Sequence, residues 1–167
     1  MTRRNAAILL GIAALIGAAL LAWRIFFPDD EARIVRCLDR AAEAVTIREG
    51  EPPVAPVKLH KLDQLLDDRI EFNVRFNRQE YAGSLERGEV PAKLTVLRKS
   101  GLKFDLKLSG YGVVISGDAA RVEAEASVTG VARGEKFSLQ EDVEISLVRR
   151  GGEWRISRIH CRNFMEK

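Results

Sequence analysis

The residues able to do chemistry are few and widely spaced. The chain has two histidines, His60 and His160, and two cysteines, Cys37 and Cys161. It contains no C-x-x-C or H-E-x-x-H sequence, no G-x-S-x-G turn and no glycine-rich loop ending in Lys-Ser or Lys-Thr. Zinc sites, serine nucleophiles and phosphate-binding loops use those spacings to bring their reacting atoms together. The sequence therefore predicts no metal, no cofactor and no hydrolase or kinase centre.

Three side chains remain as candidates for lining a ligand pocket: Tyr81, Tyr111 and His160. Tyr111 lies between two glycines where a strand is expected to bend. His160 follows an expected change of side-chain parity in the last strand, and a histidine titrates near neutral pH. His160 and Tyr111 also have a structural interpretation, in which the side chain is held by one hydrogen bond. The sequence offers no identifiable catalytic base, which favours a protein that is not an enzyme and leaves catalysis open.

One group of acids is close in sequence: Asp63, Asp67, Asp68 and Glu71. Carboxylates set against each other in an apolar cleft can act as an acid and a base, because one pKa rises. No periodicity places these four in such a cleft. We therefore expect them to form a solvated acidic surface.

The N-terminal segment is predicted to anchor the chain in a membrane. Residues 6–23 are uncharged over about the length needed to cross a hydrocarbon core. Residues 23–27 place aromatic side chains and an arginine where a membrane interface would lie, so the membrane contact is assigned to residues 6–27. Arg3 and Arg4 orient the N-terminus toward the cytoplasm. A cleaved signal peptide is the alternative, and it would also export the domain.

We expect two parts in the chain. Residues 1–27 are a cytoplasmic basic tip and transmembrane signal anchor, and residues 28–167 are one extracytoplasmic domain. The 27 basic residues include Arg3, Arg4 and Arg24, and the others balance the 24 acidic residues. A neutral domain has no basic surface for a phosphate backbone, which argues against nucleic-acid binding. A short basic N-terminus before one span suits a single-pass bacterial inner-membrane protein with a periplasmic domain.

Export would give the two cysteines a possible role. Cys37 lies in the first predicted helix and Cys161 in the last predicted strand, and an oxidising compartment permits a disulfide between them. Such a bridge would pin helix to sheet. The alternative is that both are small buried apolar residues that never meet. The sequence leaves both possibilities open.

Helical patterns occupy the first part of the domain. Apolar residues recur at helical spacing over 29–47, and the three acids after Pro28 suit a helix N-terminus. A proline-rich loop at 48–57 leads to a short helix at 59–66. Residues 69–76 alternate as a half-buried strand, and residues 79–87 are predicted to form one or two helical turns. A further short helix starts at Pro91, carries Leu94 and Leu97, and is closed by Gly101.

The remainder of the chain is predicted to be strand. Apolar and polar residues alternate over 102–109, 120–129 and 143–147, and Gly151-Gly152 predicts a tight hairpin into Trp154. Bulges are expected at the glycines 110 and 112 and near Arg158. The inner alanines at 120, 124 and 126 either leave room for a ligand or allow close helix packing. The outer face is charged, with opposite signs available for cross-strand pairs and little apolar area for dimerisation.

The pattern of turns and elements resembles the nuclear transport factor 2-like (NTF2-like) superfamily, also called SnoaL-like. The resemblance rests on the first helix at 29–47, on Ser116-Gly117-Asp118-Ala119-Ala120 before an alternating strand, and on the final hairpin at 151–156. It implies an α+β cone of the cystatin-like type, with a curved antiparallel sheet wrapped around about three helices. Relatives include isomerases, dehydratases, ligand carriers and non-catalytic assembly domains, so the resemblance implies no single activity.

Two functions follow as expectations. The first is a membrane-tethered, non-catalytic binding or assembly module with a protein partner in the cell envelope. The alternative is a small-molecule-binding or isomerase- or dehydratase-type domain with an apolar pocket. An enclosed cavity lined by tyrosine or acid would favour the alternative, and a filled interior would favour the first.

Overall fold

Three helices and six strands make up the part of the chain that the structure describes. The computed structural model covers residues 29–52, 55–76, 79–132 and 134–161. The helices are α1 (Asp30–Val45), α2 (Pro56–Leu65) and α3 (Glu89–Lys99). The strands are β1 (Leu66–Phe76), β2 (Gln79–Glu86), β3 (Lys103–Ser116), β4 (Ala119–Ala132), β5 (Glu135–Arg150) and β6 (Glu153–Cys161).

The chain divides into two units, residues 1–33 and 34–167. In the first unit, α1 begins where the Asp29 carboxylate accepts a hydrogen bond of 3.0 Å from the Ala32 amide, as an N-cap. The predicted anchor at 6–27 lies outside the described residues. No helix within the described ranges has the length and apolar character that a membrane crossing requires.

The six strands form one sheet in the order β2-β1-β6-β5-β4-β3. The predicted meander is confirmed for β3 to β6, which are antiparallel neighbours. The sheet is not antiparallel throughout, because β1 pairs with β6 in parallel. The predicted helical turns at 79–87 are wrong. These residues form β2, since Tyr81 and Leu85 pair with Val74 and Ile70 of β1 and pairing overrides a weak local preference.

Both predicted bulges are confirmed. In β3 the register shifts between Ser109 and Gly112, and Gly110 takes a φ of 66° that suits a residue without a Cβ. In β6 the shift falls beside Ser157, so Ile156 and Ile159 both face the helices. The second bulge therefore reverses the side-chain parity ahead of His160.

The core lies between the helices and one face of the sheet. In β4 the small residues alternate strictly: Ala120, Val122, Ala124 and Ala126 are buried, and the residues between them are exposed. They belong to one cluster with Ile34 and Leu38 of α1, both 0% exposed. Close packing of a helix, the second interpretation of the alanines, is the one observed.

A buried arginine joins the end of α1 to α3. Arg98 has a side chain 1% exposed and donates to the Glu51 carboxylate at 2.9 Å and to the Thr46 and Ala44 carbonyls at 3.2 and 3.4 Å. Those carbonyls belong to the helix end, where they lack partners inside the helix. Leu97 is 40% exposed, and Arg98 takes the inward position one turn after Leu94.

Replacing Arg98 by leucine should lower the free energy of unfolding by about 3 kcal/mol, because Glu51 and two carbonyls lose a buried partner. Arg98→Lys should restore part of the loss, since an ammonium cannot reproduce the forked contacts. Denaturant unfolding of the native, Arg98→Leu and Arg98→Lys chains measures both changes in the free energy of unfolding. Lys99→Leu, at an exposed cation on the same helix turn, is the control and should change stability little. Equal effects at 98 and 99 would contradict this role for Arg98.

Candidate functional site

The three predicted pocket residues lie in three different places. Tyr81 lies on β2 and Tyr111 on β3, at opposite edges of the sheet. His160 lies on β6, in the middle of the sheet, and the residues on either side of it, Ile159 and Cys161, pack against the core. Strand alternation therefore directs His160 to the outer face, away from the helices. The structure does not bring these three side chains together.

Tyr111 is held by an acid that sequence reasoning did not connect with it. Its hydroxyl donates to the Asp39 carboxylate of α1 at 2.5 Å and lies 3.3 Å from the Leu108 carbonyl. Burial raises the pKa of Tyr111, and the hydrogen bond to Asp39 and the negative charge of that carboxylate raise it further. This hydrogen bond links α1 to β3 at the edge of the sheet.

His160 lines an open groove of about 520 Å³ on the outer face of the sheet. The groove crosses β2, β1, β6 and β5. On the β2 side it is lined by the small residues Ala82, Gly83 and Ser84. The polar side chains that line it are Glu71, Asn73, Ser84, Glu144, Arg158 and His160. Its volume is in the range of small-ligand sites, but it opens widely to solvent.

The charges in the groove already have partners. Arg158 donates through Nε and Nη2 to one oxygen of Glu71, at 2.8 and 2.5 Å. Glu144, whose side chain is 19% exposed, lies 3.5 Å from Arg121. These pairs stabilise the two side walls, and His160 lies between them, opposite Asn73 on one side and Glu144 on the other.

Next to the groove the sheet places acid against acid. Glu123 lies directly opposite Glu144, and Glu125 directly opposite Asp142, across β4 and β5. The predicted opposite-sign partners are therefore not the directly opposed residues, and Arg121 reaches Glu144 diagonally. Like charges that face each other across strands destabilise a sheet, and the solvent on this face screens them.

The four acids predicted to form a solvated surface are not all solvated and unpaired. Asp67 is buried and lies 3.4 Å from Arg150, and Glu71 pairs with Arg158 in the groove. Sequence reasoning missed Arg158, Glu144 and Asp39 as partners because each contact joins residues more than ten positions apart. The alternation of β1 could have placed Glu71 on the outer face, but nothing local indicates that β1 lies beside β6.

Neither Cys37 nor Cys161 forms a disulfide in the structure. The Cys37 thiol donates to the Trp154 carbonyl at 3.4 Å, at the first end of β6. Cys161 ends the same strand, so about 20 Å of extended backbone separates that contact from Cys161. A bridge requires Cα atoms within about 7 Å, which this arrangement does not provide. Within the described ranges, no group of three or more His, Cys, Asp or Glu side chains could hold a metal ion.

Comparison with solved structures decides the fold. An NTF2-like protein from Cytophaga hutchinsonii has a TM-score of 0.60 and 14% identity, over 81% of this chain and 99% of that one. This fold is NTF2-like. A provisionally named scytalone dehydratase from Novosphingobium aromaticivorans has a TM-score of 0.61 and 14% identity, over 81% of this chain and 85% of that one. At such identities the likeness establishes the α+β cone and no activity.

A third solved structure with a similar fold has a different kind of name. It is a provisionally named calcium/calmodulin dependent protein kinase II association domain from Xanthomonas campestris, with a TM-score of 0.55 and 19% identity, over 83% of this chain and 91% of that one. No family model matches the sequence, and no curated protein matches it. The site must therefore be interpreted from its own geometry.

The two thiols should differ in reactivity. Burial raises the pKa of Cys37 to about 11, and the thiolate is the reacting form, so iodoacetamide at mildly alkaline pH should leave Cys37 unlabelled. Cys161, half-buried, should be labelled first. Peptide mass mapping before and after denaturation measures both rates. A chain that is unlabelled at both positions even when denatured, and labelled after reduction, would instead contain the bridge.

The pKa of Tyr111 should fall in an Asp39→Asn chain, and only part of the way, because burial remains. Ultraviolet absorbance titration measures this pKa. The chain has two tyrosines, so Tyr81→Phe in the background leaves Tyr111 as the tyrosine that is observed. Asp118→Asn, at an exposed acid in the β3-β4 turn, is the control and should not move the titration. An unchanged pKa in Asp39→Asn would show that the pair is not formed in solution.

Proposed function

We propose that this chain is a membrane-tethered, non-catalytic binding module that acts outside the cytoplasm. One observation carries the proposal: Tyr81, Tyr111 and His160 lie at two sheet edges and on the outer face, so they form no common centre. General acid–base chemistry needs its groups within hydrogen-bond reach of one substrate. Nothing of that kind is assembled from these side chains.

The packing on the helix side supports the same interpretation. Aliphatic residues of α1, α2, β4 and β5 form one cluster there, with Leu62 and Leu147 at 2% and 1% exposure. The small side chains of β4, which could have left room for a ligand, are covered. A surface that is open to a partner lies instead on the outer face, where the groove presents paired charges and His160.

The tether rests on the sequence. Residues 6–23 have the length and composition of a span, and Arg3 and Arg4 favour a cytoplasmic N-terminus. We propose a bacterial inner membrane and a periplasmic domain on this basis. A domain held at one membrane surface meets a partner in the cell envelope at high effective concentration, which suits a weakly binding surface.

A small-molecule-binding or isomerase- or dehydratase-type function is the second candidate. The Tyr111–Asp39 pair favours it, because a phenol and a carboxylate in contact can polarise a ligand or move a proton. The groove, at about 520 Å³, is large enough for a small ligand. A neighbouring structure with the name of a dehydratase adds a precedent on this fold.

The test uses the full chain in a bacterial host. We expect the chain in the membrane fraction, and protease added to spheroplasts should digest the domain. Leu15→Glu, which puts a charge in the middle of the span, should move the chain out of the membrane or expose it to degradation. Native mass spectrometry of the detergent-extracted chain then separates the two functions. A retained small molecule, lost in Asp39→Asn or His160→Ala, would overturn the non-catalytic module.

A further inference from the structure

The segment that follows α1 is held by charge rather than by apolar contacts. Residues 48–50 and 52 are exposed and Glu51 is half-buried, so residues 48–52 contribute no side chain to the core cluster. The Glu51 carboxylate accepts a hydrogen bond from Lys58 at 2.6 Å and another from Arg98 at 2.9 Å. A segment with few buried apolar contacts opens at low cost once its polar contacts are lost.

Helix α3 depends on the same carboxylate. The buried side chains of this helix are Leu94 and Arg98, and Val90 packs against the core in part. A helix of eleven residues is marginal in water unless packing supports it. The Arg98 side chain is 1% exposed, so losing the charge of Glu51 would leave an uncompensated cation in the interior. That cation can be hydrated only if α3 or the segment 48–52 moves.

We propose that Glu51 is an acid-operated latch, whose protonation detaches the segment 48–52 and α3 from the end of α1 while α1 and strands β3 to β6 stay folded. The parts that stay have other support. Helix α1 buries six side chains, and β3 to β6 are paired with their neighbours along most of their length. Helix α3 contacts α2 and β2, so its release uncovers surface on both.

The charges around Glu51 set the direction of the switch. In the described part of the chain they are, directly, Lys58 of α2 and Arg98 of α3 and, through Lys58 and Arg48, Glu43 of α1 and Asp105 of β3. Burial raises the pKa of Glu51, and the hydrogen bonds from Lys58 and Arg98 outweigh this and lower it. The stability that this carboxylate contributes is therefore present above the usual glutamate pKa of about 4.3 and lost as the pH falls through the lower folded-state value.

The latch opens in acid and is closed at neutral pH. This inference does not rest on the proposed function, because neither Glu51 nor its partners line the groove on the outer face. A domain outside the cytoplasm meets the external pH, but the contact itself requires only that the domain be folded.

Glu51→Gln tests the latch, because glutamine keeps the shape of the protonated acid and cannot be charged. In the full chain in detergent at neutral pH, hydrogen exchange read by mass spectrometry should be at least roughly tenfold faster in α3 and residues 48–52. Amides of β4 and β5 should exchange at the native rate. Glu49→Gln is the matched control, since Glu49 is 92% exposed and only 3.7 Å from Lys103, and it should leave α3 unchanged. Equal effects of the two variants, no effect of Glu51→Gln, or faster exchange in the sheet as well would overturn the proposal.

The pH dependence of the native chain separates a latch from acid unfolding of the whole domain. With intrinsic exchange rates corrected for pH, α3 and residues 48–52 should lose protection between about pH 5 and about pH 3, before β4 and β5 do. Glu51→Gln should show no such step, because the titrating group is gone. Loss of protection in helix and sheet together, or an equal step in Glu51→Gln, would mean that another acid controls the transition and that Glu51 is not the latch.

Discussion

A buried guanidinium is the constraint on which the helix layer depends. The buried charge of Arg98 is matched by the Glu51 carboxylate, and its Nη2 donates to the last carbonyls of α1, while its Nε has no hydrogen-bond partner. Burial alone would raise the pKa of Glu51, but hydrogen bonds from Lys58 and Arg98 lower it below its usual value. The carboxylate therefore stays charged, and the contact fixes the loop after α1 against α3.

The same region is tied to the sheet. Thr46, 0% exposed, donates to the Ala42 carbonyl and accepts from the Leu106 amide, and Ile47 exchanges two backbone hydrogen bonds with Phe104. Arg98 and Thr46 together set the position of α1 over β4, where alanines allow close approach. Because this space is filled by packing, the chemistry-bearing side chains lie at the edges and on the outer face.

The features that could be predicted from the sequence are those that local periodicity controls. Alternation identified β3 to β6 and the parity of the inner alanines, and glycines located the bulges, because these features depend on neighbouring residues. Strand β2 was missed because its structure comes from pairing with β1, and the parallel contact of β1 with β6 joins distant segments. The site partners Asp39–Tyr111 and Glu71–Arg158 could not be foreseen for the same reason, although the separate residues were visible.

The outer face of the sheet sets acid against acid at its centre. Glu123 opposite Glu144 and Glu125 opposite Asp142 are tolerable while water screens them, and covering this face with a second copy would desolvate like charges. The acidic centre therefore disfavours sheet-to-sheet association and favours a partner with matching basic groups or a solvated surface.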